Sequence, residues 1–334
     1  MTLTRRTILG GLLGAGALAL GACTSTPSPT ASSSGRTALT LGLTYIPNVQ
    51  FAPFYVAVDQ GLFTARGLDV TVRHHGEQED IFGALLAGRE QVLCASADEA
   101  MVAVSTGQEA LTFASFYRRY PLCIMAPKEA GARSVADLRG KRIGVPGRYG
   151  SSWFALLAAL AGAGMTEGDI VVQEIGWTSV SALMTHKVDA VVGYANNEPI
   201  QFASQGFEVS VLPVTNDAAP TLIGPSLLTT RTALPVPVLR AVADAVLAAQ
   251  KAIVADPNVG IEATLKQVPD LSQPTAKANA EQVLAATIAL WKGADGQVSS
   301  ALDMPTFARM SELLKASGIT KDAVPPASAV LPLT

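Results

Sequence analysis

Leu39-Thr40-Leu41-Gly42-Leu43-Thr44-Tyr45-Ile46-Pro47-Asn48 is the stretch that decides the fold. Its first half alternates apolar with small or β-branched residues, so 39–43 reads as a strand. Residues 52–60 follow with helical apolar spacing, and Gly61 supplies the stop. A second strand reads at 68–72, a helix at 81–87, a strand at 92–95, a helix at 97–106 and a strand at 111–116. Short β-branched runs alternating with amphipathic helices are the mark of an α/β fold.

The segment 122–126 leaves this unit and opens another. Ser134 with Asp137 makes a capping box. Strands at 142–145, 170–174, 190–194 and 208–212 alternate with helices at 152–162, 180–185 and 198–205. Residues 220–225 read as a return crossing, and 227–229 as a strand re-entering the first unit. Beyond 236 the chain is nearly all helix, with segments at 238–255 (stopped by Pro257), 261–268, 276–291 and 305–316. These are expected to pack on the first lobe, and the Pro-rich tail 324–334 to be extended. The expected organisation is lobe 1 from 38–121 and 226–334, lobe 2 from 122–225, and a hinged cleft between them. Ligands of open α/β sheets sit beyond the carboxyl ends of the strands.

The first residues carry an address. Arg5 and Arg6 precede an apolar run over 8–19, and Leu20-Gly21-Ala22-Cys23 ends it as a lipobox. The run is too short for a membrane span, which needs about 20 apolar residues. We expect a signal peptide over 1–22, acylation of Cys23, and a flexible Ser/Thr/Pro tether over 23–37. The export route is the general secretory one or, given Arg5-Arg6, the twin-arginine one. About 300 residues remain, enough for two lobes. Charged residues are 15 % of the chain and the net charge is -3, with no basic patch for nucleic acid. Cys94 and Cys123 lie in apolar strands and read as buried free thiols, a disulfide between them being the alternative. His74-His75 reads as a solvated loop.

Several segments, in this order and spacing, resemble one family. They are Thr44-Tyr45-Ile46-Pro47-Asn48, Pro53-Phe54-Tyr55-Val56-Ala57, Gly61-Leu62-Phe63, Gly67-Leu68-Asp69-Val70, Ala97-Asp98-Glu99-Ala100, Leu138-Arg139-Gly140-Lys141-Arg142-Ile143-Gly144-Val145 and Val188-Asp189-Ala190-Val191. The chain is similar, over about 39–228, to bacterial solute-binding proteins for thiamine pyrimidine precursors, riboflavin and, more distantly, alkanesulfonates and nitrate. The resemblance implies a two-lobed type II periplasmic-binding-protein fold. It also implies an ABC permease with its ATPase as partners. Tyr194-Ala195-Asn196-Asn197-Glu198-Pro199 resembles the pyrimidine-precursor and riboflavin subgroup, and Gly147-Arg148-Tyr149-Gly150-Ser151-Ser152-Trp153 the riboflavin-type members.

The candidate ligand-binding residues follow from position and chemistry. Tyr45 offers a face for a flat ring and Asn48 an edge partner, both after the first strand. Asp98 and Glu99 begin a helix, as ligand contacts or as plain first-turn charges. Tyr117 and Arg118 end the fourth strand, where they sandwich a ring or form a solvated hinge loop. Tyr149, Gly150, Ser151 and Ser152 form a loop whose backbone N–H groups suit an anion or carbonyl, unless a serine merely caps the helix. Trp177 is a stacking candidate. Tyr194, Asn196, Asn197 and Glu198 suit a pyrimidine or flavin edge, the alternative being capping by Asn197 and a first-turn charge at Glu198. The expected ligand is a small heteroaromatic, with a sulfonate or nitrate as the alternative. No cofactor, metal or nucleic acid is expected, and the protein is expected to be a monomer on the outer face of the cell membrane. Catalysis is not expected. The related pyrimidine synthases use a lysine-bound cofactor, and no lysine lies between Cys23 and Lys128. No persuasive Ser-His-Asp set or P-loop is present.

Overall fold

The computed structural model describes residues 35–333 apart from 78 and 217, so Cys23, the leader and most of the tether fall outside the described residues. The first sheet holds β1 (Thr37–Leu43), β2 (Leu68–His74), β3 (Val92–Ser96), β4 (Leu111–Ser115) and β10 (Pro225–Thr229), in the order β2-β1-β3-β10-β4. Strand β10 runs antiparallel to both β3 and β4, whereas β1 is parallel to β2 and β3. Thr37 already pairs with Leu68, so the strand begins inside the expected tether. Helices α1 (Ala52–Asp59), α2 (Gly83–Leu86) and α3 (Ala97–Ser105) link these strands. The helix expected at 81–87 is a single turn.

The second sheet holds β5 (Leu122–Pro127), β6 (Arg142–Val145), β7 (Val171–Glu174), β8 (Ala190–Tyr194) and β9 (Val209–Pro213), in the order β7-β6-β8-β5-β9. Helices α4 (Gly150–Gly162), α5 (Ser179–Met184) and α6 (Glu198–Ser204) connect them. Every residue of β3, β4 and β5 is buried, in keeping with their largely apolar sequences. Segments 116–121 and 214–224 join the two sheets. The Ser134–Asp137 capping box forms as read.

The remaining helices are α7 (Val236–Ala255), α8 (Pro257–Gln267), α9 (Pro274–Trp291), α10 (Met304–Ala316) and α11 (Pro326–Ala329). Pro257 does more than stop α7. It opens α8, with Asp256 as the cap that accepts from the Asn258 N–H at 3.1 Å. Proline suits the first helical position because its missing N–H would have no partner there. The apolar stripe of α7 (Leu239, Val242, Val246, Ala249, Ile253) enters the first-lobe core, and Trp291 is wholly buried beside Phe116.

The helical tail departs from expectation at its end. Helix α10 does not rest on the first lobe alone. Its Phe307, Met310 and Leu314 share one apolar cluster with Leu156 and Ala159 of α4 and Met101 of α3. The final segment is not simply extended either, because α11 makes one turn and Val330 then bridges Thr112 of β4. Three apolar residues at i, i+3 and i+7 give α10 a face that needs cover, and the second lobe provides it. Truncating wholly buried Phe307 to alanine is expected to cost about 3–5 kcal/mol in urea unfolding. A loss under about 1 kcal/mol would show that α10 is not clamped between the lobes.

Candidate functional site

A cleft of about 500 Å³ lies between the carboxyl ends of the strands of both sheets, within the range for small-molecule sites. The first sheet contributes Tyr45 after β1 and Ser96 and Glu99 at the junction of β3 and α3. The second contributes Tyr149–Ser152 before and within the first turn of α4, Trp177 after β7, Tyr194 at the end of β8, and Asn197 and Glu198 just after it. No lysine or arginine lines the cleft among the described residues, while Glu77, Glu79, Glu99 and Glu198 do.

Polar contacts join the lobes across this space. The Ser151 N–H donates to Glu99 Oε1 at 2.8 Å and the Ser151 hydroxyl to Asp98 Oδ1 at 2.7 Å. The Trp177 N–H donates to Glu77 Oε1 at 3.1 Å. The Trp177 ring meets Tyr45 with centroids 4.6 Å apart and planes tilted by 57°. The free N–H at the start of α4 is thus taken by a carboxylate of the other lobe, and is not left open for an anionic ligand.

Burial sets the electrostatics. Desolvation raises Asp98, and it raises Glu99 to about 7 with help from the neighbouring Asp98 charge. Glu198 is raised to about 7, again mainly by desolvation, although its Oε2 accepts from the Tyr194 N–H at 2.9 Å. Glu198 packs so closely over Gly193 that a Cβ there would come within 2.8 Å of its carboxyl carbon. Burial, and then the charges of Glu198 and Glu77, push the Tyr45 phenol up, so it stays a neutral donor.

Eleven of the expected residues line the cleft: Tyr45, Glu99, Tyr117, Tyr149, Gly150, Ser151, Ser152, Trp177, Tyr194, Asn197 and Glu198. Four do not. Asn48 caps a short 3-10 turn, accepting from the Gln50 N–H at 3.1 Å. Asp98 is wholly buried behind the cleft, accepting from the Tyr120 hydroxyl at 2.7 Å as well as from Ser151. Arg118 reaches the Ala301 carbonyl at 2.9 Å in the helical tail. Asn196 turns away to donate to the Thr287 hydroxyl of α9 at 2.7 Å. Asp98, Arg118 and Asn196 each lie beside a residue that does line the cleft (Glu99, Tyr117 and Asn197), and the consecutive side chains point different ways.

The structure adds Gln50, Phe51, His75, Glu77 and Gln201 to the lining. His74 and His75 are not a solvated loop. His74 ends β2 and contacts the Tyr55 hydroxyl at 2.9 Å, and His75 is buried against Glu90. His74 continues the half-buried face of β2, whereas His75 lies just past the strand, on the side of exposed Asp69 and Thr71, and no local pattern marked its burial. His75, Glu79 and Glu90 bring ligand-type atoms within 4.8 Å of one another. The Arg73 guanidinium already bridges Glu79 and Glu90, so a cationic group fills the place a metal would take. Cys94 and Cys123 are free and buried.

Similarity to known proteins follows this geometry. A riboflavin-binding protein RibY of Chloroflexus aurantiacus is 40 % identical over 209 residues, covering 58 % of this chain and 59 % of that one. A 4-amino-5-hydroxymethyl-2-methylpyrimidine phosphate synthase of Legionella pneumophila is 23 % identical, covering 51 % of this chain and 54 % of that one. The matches thus span little more than half the length of these relatives. The alkanesulfonate-binding protein SsuA of Xanthomonas axonopodis pv. citri, bound to MOPS, superposes with a TM-score of 0.68 at 22 % identity, covering 88 % of this chain and 98 % of that one. That likeness establishes a shared periplasmic-binding-protein fold. The family model described as NMT1/THI5 like matches residues 48–259, well over half of the sequence, and the chain belongs to the NMT1/THI5-like family.

Proposed function

We propose that this protein is the solute-binding component of an ABC importer and captures a flavin-like heteroaromatic nutrient between its lobes. The observation that carries the reading is the lining of the cleft. It joins the Tyr45–Trp177 pair with carboxylates and amides and, among the described residues, has no lysine or arginine. A flat ring stacks on such aromatics. Glu198, Asn197 and Gln201 serve its hydrogen-bonding edge. A sulfonate or nitrate would meet carboxylates where it needs cations. The riboflavin-binding relative at 40 % identity supports the choice of a flavin over a pyrimidine precursor.

In this reading lobe 1 (38–121 and 226–334) and lobe 2 (122–225) rotate about the crossings at 116–121 and 214–224. Ligand touching both lobes favours the closed form by its differential affinity. The closed protein, a monomer, then delivers ligand to a permease driven by an ATPase. Acylated Cys23 holds it on the outer face of the cell membrane. The protein binds and does not catalyse. The synthase relative is more distant, and the lysine that such a reaction needs has no counterpart before Lys128.

Calorimetric titration of the form lacking residues 1–23 with riboflavin, thiamine, its pyrimidine precursors and an alkanesulfonate tests the ligand. Micromolar or tighter riboflavin binding is expected, with Trp177→Ala weakening it about tenfold or more. Tight sulfonate binding with no heteroaromatic binding would overturn the reading.

The raised carboxyls give a second check. A carboxyl raised by folding from 4.5 to about 7, as at Glu99 and Glu198, contributes its full stability below the lower value and loses it as pH rises through the higher. Between pH 5 and 7.5 the melting temperature of Glu198→Gln is therefore expected to fall less steeply than that of the parent protein. Equal slopes would remove Glu198 from the account. For the anchor, Cys23→Ala is expected to shift the protein from the membrane pellet to the soluble fraction, and retention in the pellet would count against acylation.

A further inference from the structure

Two contacts between the lobes are built alike. In each, a carboxyl of lobe 1 accepts from the backbone N–H that follows a left-handed glycine of lobe 2. Glu77 takes the Trp177 N–H at 3.1 Å, after Gly176 at φ 57°. Glu99 takes the Ser151 N–H at 2.8 Å, after Gly150 at φ 69°. Glycine is required at both positions for two reasons. The positive φ disfavours other residues, and a Cβ would lie 2.6 Å from Glu77 Oε1 at Gly176 and 2.8 Å from Glu99 Oε1 at Gly150.

Among the described residues, neither N–H has an acceptor in its own lobe. Ser151 stands in the first turn of α4, where no intrahelical partner exists. The Gly176 N–H still donates to the Pro146 carbonyl of lobe 2 at 3.1 Å, but the next N–H turns to Glu77. The two carboxyls are fixed beforehand. Glu99 Oε2 also accepts from the Ser96 N–H at 3.1 Å. Glu77 lies in a turn held on both sides, by the His75 N–H on the Leu43 carbonyl at 2.8 Å and by the Arg73–Glu79 ion pair at 2.8 Å. Neither bond depends on the charge of the carboxyl, since the protonated group keeps acceptor capacity.

We propose that Glu77 and Glu99 are positioning residues that latch lobe 2 onto lobe 1, setting Trp177 against Tyr45 and favouring closure through protein contacts alone. This rests on the reading of 116–121 and 214–224 as crossings about which the lobes rotate. A ligand then adds to a closure that the chain already favours, and the two bonds break together when the lobes part.

Hydrogen exchange of the full chain in detergent, read by mass spectrometry with electron-transfer fragmentation, follows the Ser151 and Trp177 amides with no ligand added. Both are expected to exchange about tenfold or more slower than unstructured amides in the parent protein. Glu77 is exposed, so its replacement leaves the core intact. Glu77→Ala removes one bond only, yet it is expected to speed both amides about fivefold, the worth of one hydrogen bond. Glu77→Gln keeps a side-chain carbonyl and is expected to restore both rates. Gly176→Ala, whose Cβ displaces Glu77, is expected to behave as Glu77→Ala does. Gly150→Ala is expected to speed Trp177 as well as Ser151. Acceleration of Trp177 alone in Glu77→Ala would make that bond a local one and overturn the latch, leaving rotation of the lobes standing. Both amides as slow as those of β5 in every variant would show lobes that never part, and would overturn latch and rotation together. Failure of the parent protein to bind riboflavin would overturn the flavin reading and leave the latch standing, because exchange is read without ligand.

Discussion

The position of β10 governs this molecule. It lies between β3 and β4 and runs against both. The first sheet is therefore incomplete until the chain has built the second sheet and come back. Its inward residues Leu227 and Leu228 are almost wholly buried, so the return strand closes a hydrophobic core as well as a hydrogen-bond ladder. Two crossings follow from that topology, and the strand ends of both lobes come to face one space.

The site has the character of a polar pocket held by its own countercharges. Arg73 compensates Glu90, and donors from the opposite lobe compensate Glu99. Burial makes Glu198 lean towards its protonated form, against the hydrogen bonds it receives from backbone N–H groups and the Asn197 side chain. A carboxyl that exchanges a proton so readily can serve a ligand edge as donor or acceptor. The tail helices add a further constraint. Asn196 reaches α9 and α4 packs on α10, so the two sheets are also tied by contacts away from the crossings.

Much of the architecture was legible because strand and helix periodicities differ. The fully buried β3, β4 and β5 and the apolar stripe of α7 were all apparent from pattern. The end of the chain was not. Helix α10 has an apolar face in sequence, but which lobe covers it is a matter of contacts between residues about 150 positions apart. At the site, strand ends pointed to segments of which only some members line the cleft. Tyr117 enters the cleft and Arg118 leaves it, and Asn197 enters while Asn196 leaves. Rotation of a residue at a strand end depends on its local turn and on the helix that packs behind it.

The sequence by itself determined the alternation of elements, the two crossings of the chain and the family to which it belongs, since these rest on local periodicity and motif order. Only the tertiary structure decided that His75 is buried against Glu90, that Glu99 caps the helix of the other lobe, and that no cation of the described residues faces the cleft. Those facts depend on which side chains meet across long separations, and on how burial changes the charge that each carries.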